Sequence, residues 1–190
     1  MAERYTRVEA SPPNYLDWQR MNRSFETMGA LTSRASNLVG GTEPRRLEGA
    51  VMSADVMRIL GVSPRIGRIF ADEDDELGAA RTVILSYALW RSEFGGSAEV
   101  LGKRVRLDEV EHVVIGVLPA TFTFPTRETQ IWAPLEFSEE NGDEDRDNNH
   151  LHVLARLRPG ESLDAARAEM NVIAEQLERQ YPSRSRNDHR

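Results

Sequence analysis

Apolar positions along the chain follow helical spacing in some stretches and strand alternation in others, and the changes of period mark the elements. After a short mixed stretch at 5–8, Ser11-Pro12-Pro13 opens a helix running to about Asn22, because Ser11 can cap and Pro12 loses nothing at the first helical position. Tyr15 and Trp18, three apart, form an aromatic stripe on it, a pattern that more often packs into a core than binds a ligand. Residues 24–41 mix Phe25, Met28, Leu31, Leu38 and Val39 with small polar residues, which predicts extended segments closed by Gly40-Gly41. A strand is expected over 46–52. A short helix should follow from Ser53, turning Val56, Ile59 and Leu60 inward and stopping at Gly61.

From Val62 through Gly67 to Phe70 the pattern is irregular and marks a subdomain boundary. Thr82 to Leu85 is a β-branched strand, Ser86 caps a helix carrying Ala88, Leu89, Trp90 and Phe94, and Gly95-Gly96 stops it. Val105 and Leu107 alternate with Arg104, Arg106 and Asp108 ahead of the run Val113 to Leu118, so a hairpin turning near Asp108-Glu109 is predicted. Gly116 marks a bulge or a close approach. Ile131 to Leu135 reads as a strand that Pro134 should confine to a sheet edge. Leu151 to Leu157 alternates as a half-buried strand and breaks at Pro159-Gly160. Ser162 then caps a helix with Leu163, Ala166, Met170, Ile173 and Leu177 on one face, ended by Tyr181-Pro182. This order of elements predicts an α+β architecture without internal repeats.

Composition narrows the classes. At 190 residues and 39% hydrophobic the chain can bury a core. Its formal charge of −7 offers no basic footprint, so nucleic acid is not an expected partner. Two tracts set that sign, the unbroken acids 72–76 and the six acids within 139–147, and both read as solvated loops. The absence of cysteine excludes disulfides, thiolate metal sites and cysteine nucleophiles. The longest apolar run is six residues, against the ~18 that a membrane helix needs. The first residues lack the apolar segment of a signal peptide, so for an exported domain the address is expected to lie outside this chain.

Three motifs hint at chemistry. Residues 95–104 look like a phosphate loop, but Ser97 stands where the first Gly belongs and Arg104 where the magnesium-binding hydroxyl belongs. Asp143, Asp145 and Asp147 have calcium-loop spacing, yet Asn148 replaces the turn Gly and Leu154 the closing Glu. His150 and His152 would share one side of a strand, and His112 is a conceivable third zinc ligand, with His189 in the tail. No serine sits in a nucleophile elbow, and the carboxylate pair Glu73 and Asp75 lies inside a charge run. The expectation is therefore no catalytic, cofactor or metal residue, and no enzyme.

Ten phrases give the chain a resemblance. They are SPPNYLDW at 11–18, RSFETM at 23–28, LGVSPRIGRIF at 60–70, VILS at 83–86 with Leu89-Trp90, FGG at 94–96, VLGK at 100–103, VVIGV at 113–117, FTFP at 122–125, WAPL at 132–135 and ARLRPG at 155–160. In this order and spacing they resemble the periplasmic core domain of MacB-like ABC permeases, the family that joins this domain to FtsX-like membrane helices. Met57 and Glu109 depart from the pattern, the first where relatives often carry an aromatic, the second where they often have Gly in a hairpin turn.

The resemblance implies a porter-like α/β layer from residues 1–64 and 141–190, with an inserted, mostly β, Sabre-like lobe over 65–140. It implies a non-catalytic module on the extracytoplasmic face of the bacterial inner membrane, binding substrate or partner and transmitting force in efflux or export. Its partners would be the flanking membrane helices of its own permease, a cytoplasmic ABC ATPase acting at a distance, and a periplasmic adaptor or second permease subunit. The alternatives are a metal- or calcium-dependent adhesion module and, ranked below it, a free-standing acidic hydrolase.

Overall fold

The computed structural model describes residues 9–39, 44–137 and 145–182. They divide into two compact units, one of the described residues within 1–28 and 137–190 and the other of those within 29–136. The observed class is α+β.

In the first unit, α1 (Pro12–Met21) follows Ser11, whose extended backbone sets the start of the helix and whose hydroxyl makes no cap bond. The two-residue strand β1 (Glu9–Ala10) pairs antiparallel with β11 (Leu151–Leu157), which neighbours β2 (Phe25–Ser33). α4 (Leu163–Gln180) buries Ala166, Ile173 and Leu177 at helical spacing, and the Ser162 hydroxyl caps it by accepting from Ala165 N–H at 3.1 Å. Glu169 on α4 accepts from the backbone N–H groups of Arg23 (3.0 Å) and Ser24 (2.9 Å), gripping the entrance to β2. On α1, the Tyr15 hydroxyl and the Gln19 amide both donate to Met28 O, at 3.2 and 2.9 Å.

The second unit is built on a mixed sheet. Its order is the end of β2, then β5 (Gly49–Met52), β10 (Ile131–Pro134), β7 (Thr82–Leu85), β9 (Val110–Val117), β8 (Arg104–Leu107), β3 (Ser36–Val39) and β4 (Arg45–Leu47), with β6 (Ile66–Gly67) beside β9. The β5–β10 and β7–β9 pairs are parallel and the others antiparallel. α3 (Tyr87–Phe94) lays Leu89 and Trp90 onto Val83, Leu85, Val114 and Val117. Each such side chain contributes about 1.5–3 kcal/mol on leaving water.

Several expectations are met in detail. Ser86 caps α3 by accepting from Leu89 N–H at 3.2 Å, and Gly95 closes it at φ 62°. The β8–β9 hairpin turns at Asp108-Glu109, between the paired residues Leu107 and Val110. At Gly116 both readings hold: the β7–β9 register shifts between Val83 and Ile84, and a Cβ there would lie 2.3 Å from Arg68 O.

Other expectations are corrected. Pro134 does not mark an edge, since β10 lies between β5 and β7. Its pairing with β7 ends at Trp132, and Leu135 N–H donates to Met52 O on the β5 side, so the proline nitrogen faces a side where the ladder has stopped. In α2 (Ala54–Leu60), Leu60 is exposed and Met57 is fully buried in its place. The acidic run 72–76 is solvated only in part: Asp72, Glu73 and Glu76 are exposed, while Asp74 and Asp75 turn inward. Asp72–Asp74 forms a 3-10 turn in which Asp74 is only 6% exposed. The sequence placed the first subdomain division at 64/65, whereas the compact units part at 28/29, because β5 inserts between β2 and β10 and so joins residues 49–64 to the second unit.

Candidate functional site

The polar constellation of the first unit gathers on Arg146. α1 presents Asn14, Asp17 and Trp18 at spacings of three and four, which places them on one helix face. Arg146 donates to Asn14 Oδ1 at 2.8 Å and to Asp17 Oδ2 at 2.7 Å, and its guanidinium carbon lies 3.7 Å from the centroid of the Tyr181 ring just past α4. Asp17 is 5% exposed and also accepts from Arg20, so its charge is buried but paired twice. One arginine thus ties α1, the return segment and the end of α4.

Beside this clamp opens a cleft of about 630 Å³, lined by Trp18, Asp147, Asn149, Glu178 and Tyr181 among others. The aromatic stripe on α1 therefore splits: Tyr15 is core, while Trp18 is half-buried and faces the cleft. The sequence marked Tyr181 only as a helix end and Arg146 not at all, because an arginine in a charge-rich stretch and a tyrosine before proline carry no signal of a site.

In the second unit the structure assigns roles to acids of the 72–76 run. Asp74 accepts from Arg68, from Ala71 N–H at 2.8 Å and from the Thr82 hydroxyl at 3.2 Å. Burial pushes its carboxyl up, and these partners together outweigh burial and hold it below the usual carboxylate range. Asp75 accepts from Ala54 N–H at 2.8 Å at the start of α2, while its other oxygen is buried without a partner. Burial, opposed by that one amide and helped by Asp55, Asp72 and Asp74, pushes the Asp75 carboxyl up to about 6. Arg68, inside the phrase at 60–70, was the available signal that one acid of the run has a fixed cation.

The motifs singled out from sequence are dispersed. Gly95 and Gly96 end α3, Ser97 caps a 3-10 turn by accepting from Glu99 N–H at 3.2 Å, and Arg104 pairs with Glu111 on the β8–β9 hairpin. Asp143 lies outside the described residues. The exposed Asp145 carboxylate accepts from Asp147 N–H at 2.9 Å, and Leu154 sits in β11. His150 precedes β11 instead of sharing a strand face with His152, which is half-buried opposite Glu9. His112 belongs to the other unit, where burial lowers its imidazole's proton affinity, and His189 lies outside the described residues. Among the described residues, no three His, Asp or Glu side chains stand close enough to hold a metal ion.

A family model described as the MacB-like periplasmic core domain matches residues 5–173. The chain belongs to that family. No match appears among curated proteins. Among solved structures, the extracellular domain of the noncanonic ABC-type transporter YknZ from Gram-positive bacteria is similar at a TM-score of 0.66 and 17% identity, covering 90% of this chain and 84% of that one. The periplasmic region of MacB from Actinobacillus actinomycetemcomitans is similar at 0.66 and 14%, covering 94% and 77%. A domain of a putative permease protein from Porphyromonas gingivalis is similar at 0.65 and 19%, covering 88% and 71%. At these identities the three share the fold. Within this MacB-like core domain, the Arg146 clamp and its cleft are the candidate site; no described helix is long and apolar enough to cross a membrane.

Proposed function

We propose that this MacB-like core domain is the extracytoplasmic module of an ABC-type permease, binding a substrate or partner and passing on motion generated by a separate cytoplasmic ATPase. The observation that carries the reading is the family match over 5–173. The Arg146 clamp supports it. Asn14 and Asp17 lie near the start of the chain and Tyr181 near its end, so a pull on either end reaches the same three side chains. The unit of 1–28 and 137–190 is the porter-like layer in this reading, and the unit of 29–136 the inserted, Sabre-like lobe. A periplasmic adaptor or second permease subunit is the partner that such a module would meet.

The module itself carries out no chemistry in this reading. Asp74 and Asp75, the acids with perturbed carboxyls in the 72–76 run, are spent on Arg68, Ala71, Thr82 and the first turn of α2. The test is hydropathy in the parent gene. An apolar stretch of ~20 residues is expected immediately before this sequence and another soon after it; the absence of both would overturn the reading.

A further inference from the structure

The cleft beside Arg146 has a charge pattern that selects its ligand. Among the described residues Arg146 is the only cationic one lining it, and that side chain is already committed to Asn14, Asp17 and the Tyr181 ring. The carboxylates of Asp147 and Glu178 also line it, and among the described residues neither makes a hydrogen bond or ion pair. The Asn149 side chain and the Trp18 indole N–H are likewise uncommitted. Free capacity among the described lining residues is therefore the two acceptor-only carboxylates, the Asn149 amide with Asn14 Nδ2 and Gln180 Oε1, the Tyr181 O–H and the Trp18 indole N–H, set against an aromatic wall. The two carboxylates disfavour an anion, and a neutral ligand finds only hydrogen bonds there, with no ion pair. The lining rewards a donor-rich cation, whose charge meets the carboxylates while its apolar body lies on the indole.

We propose that this cleft binds ligands carrying an ammonium or guanidinium group on an aromatic or apolar body, with Asp147 and Glu178 receiving the cation and Trp18 the apolar part. The proposal deepens the binding role given above and rests on it. A carboxylate-to-cation hydrogen bond contributes enough that losing it weakens binding about tenfold. Small probes of this size reach dissociation constants of about 10 mM.

The indole N–H resonances report binding directly. Trp90 and Trp132 donate to the Ser97 and Phe124 carbonyls and are buried, so Trp18 is the half-exposed indole, assigned with Trp18→Phe. The ¹⁵N-labelled 190-residue chain is titrated with 2-phenylethylammonium and, separately, with neutral 2-phenylethanol. The expected result is a saturable shift of the Trp18 resonance with the ammonium, at least tenfold weaker with the alcohol and weakened about tenfold again in Asp147→Asn/Glu178→Gln. Both substitutions are at exposed positions, and unchanged backbone amide resonances of Tyr15 and Ala166, buried in the same unit, verify its fold. Equal shifts with both probes, no saturable shift with either, or unchanged ammonium binding in the double variant would each overturn the proposal. None of these outcomes bears on the membrane-flanked reading, which the gene's hydropathy tests separately.

Discussion

Asp75 caps the first turn of α2 through one oxygen and leaves the other buried without a partner. Its carboxyl is pushed from 3.8 up to about 6, so the folded state holds that proton more tightly than the unfolded chain. The stability this gives is full below about pH 4 and is lost as pH rises through 6. The full shift corresponds to ~3 kcal/mol, and solvent screening at a partly exposed group reduces it to about 1.5 kcal/mol. Asp75→Asn keeps an acceptor for Ala54 N–H and stays neutral. Its melting temperature should match the parent at pH 4 and exceed it by about 4 °C at pH 7.5. Thermal unfolding at the two pH values checks this; a variant less stable at pH 7.5 would refute the assignment.

Glu109 is a second residue whose conformation has a measurable cost. Asp108 and Glu109 adopt φ 47° and 69°, the left-handed pair of a two-residue hairpin turn, where the second place favours glycine. The sequence showed the hairpin through the alternation of Val105 and Leu107. It left the turn type open, because Glu109 is a poor residue for it. Asp108 compensates by accepting from Asn37 N–H at 2.8 Å and from the Asn37 amide at 2.9 Å. Glu109→Gly should stabilise the chain by about 1 kcal/mol, measured as a shift in the denaturant midpoint without a change in slope.

At the scale of elements, the signals that succeeded were local and chemical. Ser86 and Ser162 accept the predicted cap bonds, and Gly61 and Gly95 take up left-handed stops at φ 63° and 62°. Ser162→Ala should lose about 1 kcal/mol and open the first turn of α4 to hydrogen exchange. What failed depended on neighbours remote in sequence. Pro134 signalled an edge, but the β7 ladder stops short of it; the acids 72–76 signalled solvent, but Arg68 and Thr82 fold over Asp74. Arg146 was illegible for the same reason, since its partners stand 132 and 129 residues away. Arg146→Ala should cost about 2 kcal/mol, because Asp17 stays buried with Arg20 alone. Hydrogen exchange should then rise at both α1 and the last turn of α4; a rise at one end only would contradict the clamp.

For the whole molecule, the α+β class and the family were readable from the order of the turn glycines, prolines and buried apolar phrases. The division into units was not. The boundary at 28/29 falls inside β2, whose first four residues belong to one unit and last five to the other, so no linker composition marks it. The acidic tract at 139–147 drew attention through charge, yet its most connected described neighbour is the single arginine within it. The central claim concerns which side of the membrane this domain occupies. The chain has no cysteine and Leu77 is 72% exposed, so Leu77→Cys gives one accessible thiol in this domain. A membrane-impermeant maleimide applied to intact spheroplasts producing the full-length protein should label that thiol without permeabilisation; labelling only after the membrane is opened would contradict an extracytoplasmic module.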